Sequence, residues 1–159
     1  MQYIDFNKCD TLDNIQCDIK RLIDEQLITL EQAELIDPNA IFRFFKTELG
    51  QRMTTSEHLL REFKFSVLDD ASNYIDELVH EKILLQGVVD CAVIDVDGIT
   101  IIDFKTDKVT QNNVADVAQS YYSQVKVYAQ ALRKIYGLPI KSAFLYFFHL
   151  NQFIPVDCN

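Results

Sequence analysis

The stretch Gly87–Lys105, GVVDCAVIDVDGITIIDFK, constrains this chain more than any other. Two runs rich in β-branched and apolar residues, 82–94 and 99–105, flank Asp97-Gly98, the dipeptide that a two-residue type I′ hairpin turn prefers. With those residues at the centre of the turn, Val96 faces Ile99, Asp90 lies opposite Lys105, and Asp103 lies opposite Ala92. Side chains alternate along a strand, so Asp90, Asp103 and Lys105 project from one face and Phe104 from the other. A four-residue loop would set Asp90 directly opposite Asp103 and keep the shared face, whereas a slip by one residue would separate them.

Two carboxylates held side by side, with one lysine as the only cation, repel each other unless positive charge sits between them. Magnesium or manganese suits such a set of hard oxygen donors, Mg²⁺ being usually held by one or two carboxylates together with water and substrate phosphates. The chemistry this supplies is activation of a phosphodiester and of water, with Lys105 placed to orient that water or to steady charge developing on phosphorus. The competing reading is a solvated cross-strand ion pair worth a few tenths of a kcal/mol. It fits the context less well, because Asp103 closes the apolar run ITII, which reads as a central strand where an unpartnered carboxylate is costly.

Downstream, apolar residues recur at helical spacing from about Val114 to Tyr136, and Gly137 and Pro139 supply the stop. Gln124 and Tyr128 stand four apart on one side of this expected single helix, with Tyr121 three before. Tyr121, Tyr122 and Tyr136 read as core-facing aromatics. Gln124 is different, since a glutamine in an apolar stripe needs hydrogen-bond partners, and an active-site lysine or a phosphate would serve.

The run from QGVVD through DFKTDKV, followed by YYSQVKVYAQAL on the helix and by FLYFF, resembles the RecB-family nuclease domain, most closely that of AddA-type subunits of bacterial helicase-nucleases. The resemblance extends over nearly the whole chain and rests on the order of G-x-x-D, D-x-K and Q-x-x-x-Y elements. It implies an α/β, restriction-endonuclease-like (D/E-x-K) core with a mixed central sheet flanked by helices and an N-terminal helical segment. It further implies Asp90 and Asp103 as metal ligands, the backbone carbonyl of Phe104 as a third, Lys105 as the catalytic lysine, and Gln124 and Tyr128 as the Q-x-x-x-Y pair. The implied activity is Mg²⁺- or Mn²⁺-dependent exonuclease hydrolysis of single-stranded DNA, in a helicase-nuclease that acts in double-strand-break repair by recombination. The implied partners are a helicase region of the same polypeptide and a second helicase-nuclease subunit. ATP would enter only through that helicase region, since no G-x-x-x-x-G-K-[ST] loop occurs here. The family also carries a metal-ligating histidine in an N-terminal helix, and that residue would fall just before Met1. His58, His80 and His149 have no matching context, so a fragment with an incomplete site is expected. An inactive nuclease-like module that binds DNA or a partner subunit is the alternative.

A net charge of −9 argues against a self-sufficient DNA-binding surface, which normally needs a basic face. Lys105, Lys108, Lys126 and Arg133 are therefore expected to form a local patch. At 159 residues and 48% hydrophobic content the chain reads as one domain, with 1–57 as helical support and 58–159 as a sheet-and-helix catalytic core. In the support segment, Thr11 to Gln26 is helical, Thr29-Leu30-Glu31-Gln32 reads as a capping box, and Asp37-Pro38 opens a helix through AIFRFFKTEL. Those three helices would dock through Phe42, Phe44, Phe45 and Leu49. Residues 58–68 form a first strand in which Glu62 reads as structural, with a place near the site as the alternative; 69–81 read as a polar loop, and strands near 142–149 and 152–157 close the sheet. Cys9, Cys17, Cys91 and Cys158 lack zinc or iron–sulfur spacing and read as reduced thiols. No apolar run has membrane-spanning length and no signal-peptide pattern opens the chain, so a soluble cytoplasmic protein is expected, with no membrane partner.

Overall fold

In a computed structural model that describes residues 1–158, each N-terminal helix begins where a side chain accepts a hydrogen bond from the first turn. Thr11 caps α1 (Leu12–Asp24), Thr29 and Gln32 form a reciprocal capping box on α2 (Leu30–Glu34), and Asp37 caps α3 (Pro38–Phe45) with proline in its first turn. The run AIFRFFKTEL does not stay in one helix. The Thr47 hydroxyl donates to the Phe44 carbonyl at 2.6 Å and accepts from Gly50 N at 3.0 Å, ending α3 and capping α4 (Glu48–Thr55). Gly50 permits the tight corner, because a Cβ there would sit 2.2 Å from the Phe44 carbonyl oxygen.

Five strands follow: β1 (Leu59–Asp70), β2 (Lys82–Asp95), β3 (Gly98–Lys105), β4 (Ile140–Phe147) and β5 (Gln152–Pro155), ordered β1-β2-β3-β4-β5 in one sheet. All neighbours are antiparallel except β3 and β4, which are parallel and joined by a crossover through α5 (Val114–Gln119) and α6 (Tyr122–Tyr136). Period-two alternation divides β3 between two cores. Ile99 and Ile101 pack with Val125, Ala129 and Leu132 on the α6 side, while Ile102 packs with Ile15, Phe44, Phe45 and Met53 of the N-terminal helices. No helix among the described residues is long and apolar enough to cross a membrane.

Three expectations are corrected. The β2–β3 register pairs Asp95 with Gly98 and Cys91 with Ile102, so Val96 and Asp97 form the turn and Asp90 does not face Lys105; it is the alternative register, which runs toward Asp90 opposite Asp103. A type I′ turn needs positive φ at both central residues, and neither Val96 nor Asp97 has it. Gly98 takes the unusual conformation instead, φ 146°, where the Pro139 carbonyl presses against it and bonds Ile99 N at 2.9 Å. The expected 114–136 helix is broken at Ser120–Tyr121. There the Ser120 hydroxyl donates to the Val117 carbonyl at 2.7 Å, and the N–H groups of Ser120 and Tyr121 reach three residues back. Finally, 69–81 is not all loop: Asp69 and Asp70 end β1, and Asp69 is buried, accepting from the Tyr74 hydroxyl at 2.9 Å and pairing with Lys134 of α6 at 3.1 Å.

Gly98→Ala should lower the unfolding free energy by about 2 kcal/mol, because its Cβ would meet the Pro139 oxygen at 2.8 Å in a backbone region that disfavours side chains. Urea titration checks this, and a loss within error would show that the turn relaxes freely. Burial alone would raise the Asp69 carboxyl, but Lys134, Tyr74, the Asp70 backbone and Asn73 together lower it to about 2. A depressed carboxyl contributes stability that is complete above the unfolded pKa and lost as pH falls through the folded one. Asp69→Asn should therefore cost about 2 kcal/mol near neutrality and flatten the stability profile between pH of about 4 and 2.

Candidate active site

Asp103 lies two residues before the end of β3, the most buried strand of the sheet, and is itself 1% exposed. Its Oδ2 lies 2.5 Å from Lys105 Nζ as an ion pair, and no other donor reaches that oxygen. Burial pushes the Asp103 carboxyl above its ordinary range; Lys105 opposes this, and the charge of Asp90 reinforces it. The two acids are therefore close enough to repel, as the sequence anticipated, but the backbone brings them together by a different route.

The β1–β2 ladder runs from Leu59↔Val93 to Asp70↔Lys82 with one interruption, at Glu62 and Asp90. Glu62 has φ 48°, uncommon for a residue with a side chain. Both strands change facing there: Leu60 and Ala92 lie on the α6 side, and so, beyond the break, do Phe63, Phe65, Leu85 and Val89. The β2–β3 ladder also stops short of the kink, at Cys91↔Ile102. The Asp90 carboxylate stands in for the missing backbone partner, accepting from Phe104 N at 2.9 Å. Glu62, read from sequence as structural, is thus the residue across from Asp90 at the break. Its charge, with those of Asp103 and Asp90, reinforces the burial that raises the Tyr128 hydroxyl.

Lys105 continues the site toward α6. Its Nζ donates to Gln124 Oε1 at 3.1 Å, and Gln124 Nε2 donates to the Tyr128 hydroxyl at 2.5 Å. Asp90, Asp103, Lys105, Gln124 and Tyr128 are therefore joined through hydrogen bonds, an ion pair and charge. Two more residues adjoin this chain of contacts: Tyr121, read from sequence as a core-facing aromatic, whose ring lies 3.7 Å from Lys105 Nζ, and Asp107, which accepts the Tyr121 hydroxyl. The triplet spacing of Tyr121 and Gln124 was the available signal, outweighed by the aromatic character of the stripe. The residues of the expected basic patch line different hollows. Lys108 lines a cavity of about 510 Å³ with Met1–Ile4, α3 and Phe148, whereas Lys126 and Arg133 line a separate groove with Asn73 and Tyr74. His58, His80 and His149 are all exposed.

Two carboxylates, one of them buried and partnered at one oxygen by the Lys105 ammonium alone, fit a hard divalent cation. No group of three or more His, Cys, Asp or Glu side chains positioned to hold a metal occurs among the described residues. The Met1 amino group lies within electrostatic reach of Glu62 and Asp90, and burial lowers its pKa while those acids oppose the shift.

The model of the PD-(D/E)XK nuclease superfamily matches residues 13–154. The A-type chain of the ATP-dependent helicase/nuclease of Clostridium botulinum (strain 657 / Type Ba4) is 35% identical over 162 residues, which cover 99% of this chain and 12% of that protein. Its counterpart in Alkaliphilus oremlandii (strain OhILAs) is 32% identical over 155 residues, 96% of this chain and 13% of that protein. The chain thus spans 12–13% of the length of these curated relatives.

The geometry makes Asp90 a source of instability when no cation is bound. Asp90→Asn keeps an acceptor for Phe104 N–H and removes the charge that opposes Asp103. In chelator-treated protein near neutral pH it should raise the unfolding free energy by about 1 kcal/mol. Because the Asp103 carboxyl is raised in the fold, its favourable contribution is complete below the unfolded pKa and lost as pH climbs through the folded one. The advantage of Asp90→Asn should accordingly shrink on acidification; a variant no more stable than the parent near neutrality would show that the acids do not oppose each other.

Proposed function

The chain belongs to the PD-(D/E)XK nuclease superfamily, and on that premise we propose that it hydrolyses phosphodiester bonds of single-stranded DNA as a Mg²⁺- or Mn²⁺-dependent exonuclease. The observation that carries this reading is the buried Asp103 oxygen whose one close partner is the Lys105 ammonium, beside a second carboxylate. Superfamily members generally use divalent metals. Here Asp90, Asp103 and the backbone carbonyl of Phe104 would hold the ion, which when bound supplies Lewis acidity toward the scissile phosphate and its attacking water. Lys105 presents an ammonium at the same place and steadies negative charge gathering on the phosphoryl oxygens. Gln124 fixes the direction of that ammonium through its carbonyl, and Tyr128 fixes Gln124 through its hydroxyl. Without that chain of bonds a lysine side chain samples many rotamers, and reactivity would suffer.

The relatives are components of ATP-dependent helicase/nucleases. This supports a role beside a helicase region and a second subunit, with ATP used only by the helicase, in repair of double-strand breaks by recombination. Such an assembly would deliver the strand, which accounts for activity on DNA from a chain with a net charge of −9. Four free cysteines, with burial raising Cys9 and Cys91 to about 12, fit a reducing cytoplasmic setting. The acidic surface and the lack of a three-ligand cluster among the described residues favour a second reading, an inactive module that binds DNA or a partner subunit.

Labelled single-stranded DNA, incubated with Mg²⁺ or Mn²⁺, separates the two. Cleavage by this chain, or by a form extended upstream through the expected histidine, should fall at least about a hundred-fold in Asp103→Ala. Binding with no cleavage in any form would establish the module instead.

A further inference from the structure

Lys105 has a third neighbour besides Asp103 and Gln124. Its Nζ sits 3.7 Å from the ring centroid of Tyr121, and its side chain is only 11% exposed. The Tyr121 hydroxyl in turn donates to both oxygens of Asp107, at 3.0 and 3.2 Å. Asp107 stands in the segment just after β3, and Tyr121 is the residue that precedes the first turn of α6. Strand, loop and helix start are thereby linked into a closed circuit around one ammonium group. Neither Tyr121 nor Asp107 belongs to the G-x-x-D, D-x-K or Q-x-x-x-Y elements.

An ammonium has three N–H bonds. Asp103 and Gln124 engage two directions, and a π face is the attractive surface on another side. A phenol whose proton is shared with a carboxylate is richer in electrons than a free one, which strengthens that attraction; the same bond is the main reason the Tyr121 hydroxyl is held above its ordinary range. Packing alone would not need the hydroxyl, since Tyr121 is only partly buried and phenylalanine would fill the same space. The break between α5 and α6 falls at this residue, where an unbroken helix would have fixed the ring by the helical repeat alone.

We propose that Tyr121 and Asp107 are positioning residues for Lys105: Asp107 tethers the Tyr121 ring, and the ring confines the ammonium between Asp103 and Gln124 so that it points at the reacting phosphate. The inference rests on the reading of Lys105 as a catalytic residue. It accounts for the D-x-K-T-D run in this sequence, Asp103 to Asp107, as one device rather than a motif followed by a loop.

The test begins with carbon-13 labelled lysine and nuclear magnetic resonance on this chain without metal, the Lys105 signal being assigned by its disappearance in Lys105→Arg. The ε-methylene protons of Lys105 should be displaced upfield by the Tyr121 ring current, lose that displacement in Tyr121→Leu, and keep only part of it in Asp107→Ala. Metal-dependent cleavage, in whichever form shows it, should then lose roughly ten-fold in kcat in Tyr121→Leu with KM little changed. Asp107→Asn, whose amide oxygen still accepts the phenol proton, should restore most of what Asp107→Ala loses, and matching melting temperatures exclude a folding defect. A Lys105 methylene without ring displacement overturns the inference outright. So does cleavage that depends on Lys105 yet ignores Tyr121→Leu. A displaced methylene together with cleavage indifferent to Lys105→Ala would instead sink the catalytic reading of the lysine, and with it a positioning role for the pair.

Discussion

A carboxylate forced into the driest part of the sheet is the constraint around which the rest is arranged. Asp103 continues the run Ile99–Ile102, every member of which is fully buried, and Lys105 Nζ lies 2.5 Å from it. A buried ion pair with poor compensation contributes little to stability, because removing two charges from water offsets most of their attraction. The carboxyl is accordingly raised above its usual range by burial. A chain selected for stability alone would place leucine or valine here, as its neighbours are. That it places an acid, and a second acid within repelling distance, is what the proposed cation site would explain.

The second acid arrives through a defect in the sheet. Regular pairing would have kept β1 and β2 in step past Glu62 and Asp90, with backbone bonds crossing to β3. Instead the ladder breaks at that one pair, Glu62 adopts a left-handed conformation, and side chains on both strands change face. The Phe104 N–H left without a strand partner is taken by the Asp90 carboxylate. This one bond does two things. It satisfies a donor that would otherwise be costly to bury, and it fixes Asp90 against the residue that lies between Asp103 and Lys105. Irregularities of this kind concentrate where a strand must re-aim a side chain.

How far the sequence could be read follows from which rules are local. Helix starts were legible because a cap is a contact within a few residues: Thr11, Thr29 with Gln32, and Asp37 all act as read. The strands, the turn and the association of Asp90, Asp103 and Lys105 were legible from alternation and apolar runs. Of the two registers that keep the shared face, the one centred on Asp97-Gly98 was preferred and the other is found, since the turn preference competes with the approach of the Pro139 carbonyl, over forty residues away in sequence. Thr47 and Ser120 broke two expected helices through hydroxyl bonds to carbonyls three residues back, a choice that helical periodicity cannot register. The contacts that Glu62 and Tyr121 make were not legible for the same reason. Each looks ordinary within its own element, and its place in the site depends on a distortion or a partner elsewhere.

The N-terminal helices, which sequence suggests are mere support, act on the site from behind. Phe104 lies between two site residues, and its ring points away from them into an aromatic cluster. Its centroid is 5.1 Å from that of Phe44 and 5.5 Å from that of Phe148, with Tyr146 at 6.3 Å. Phe44 is wholly buried and touches Phe45, Tyr146 and Phe153 as well. Such edge and stacked pairs are worth about 0.5–1.5 kcal/mol each beyond the area they bury. In a strand, fixing one residue by its ring fixes the backbone of its neighbours, so the grip on Phe104 sets where Asp103 and Lys105 stand on the opposite face. The aromatic residues of α3 therefore contribute to the geometry of a site they never touch, and loosening that cluster would disorder the acid–lysine pair before it unfolded the sheet.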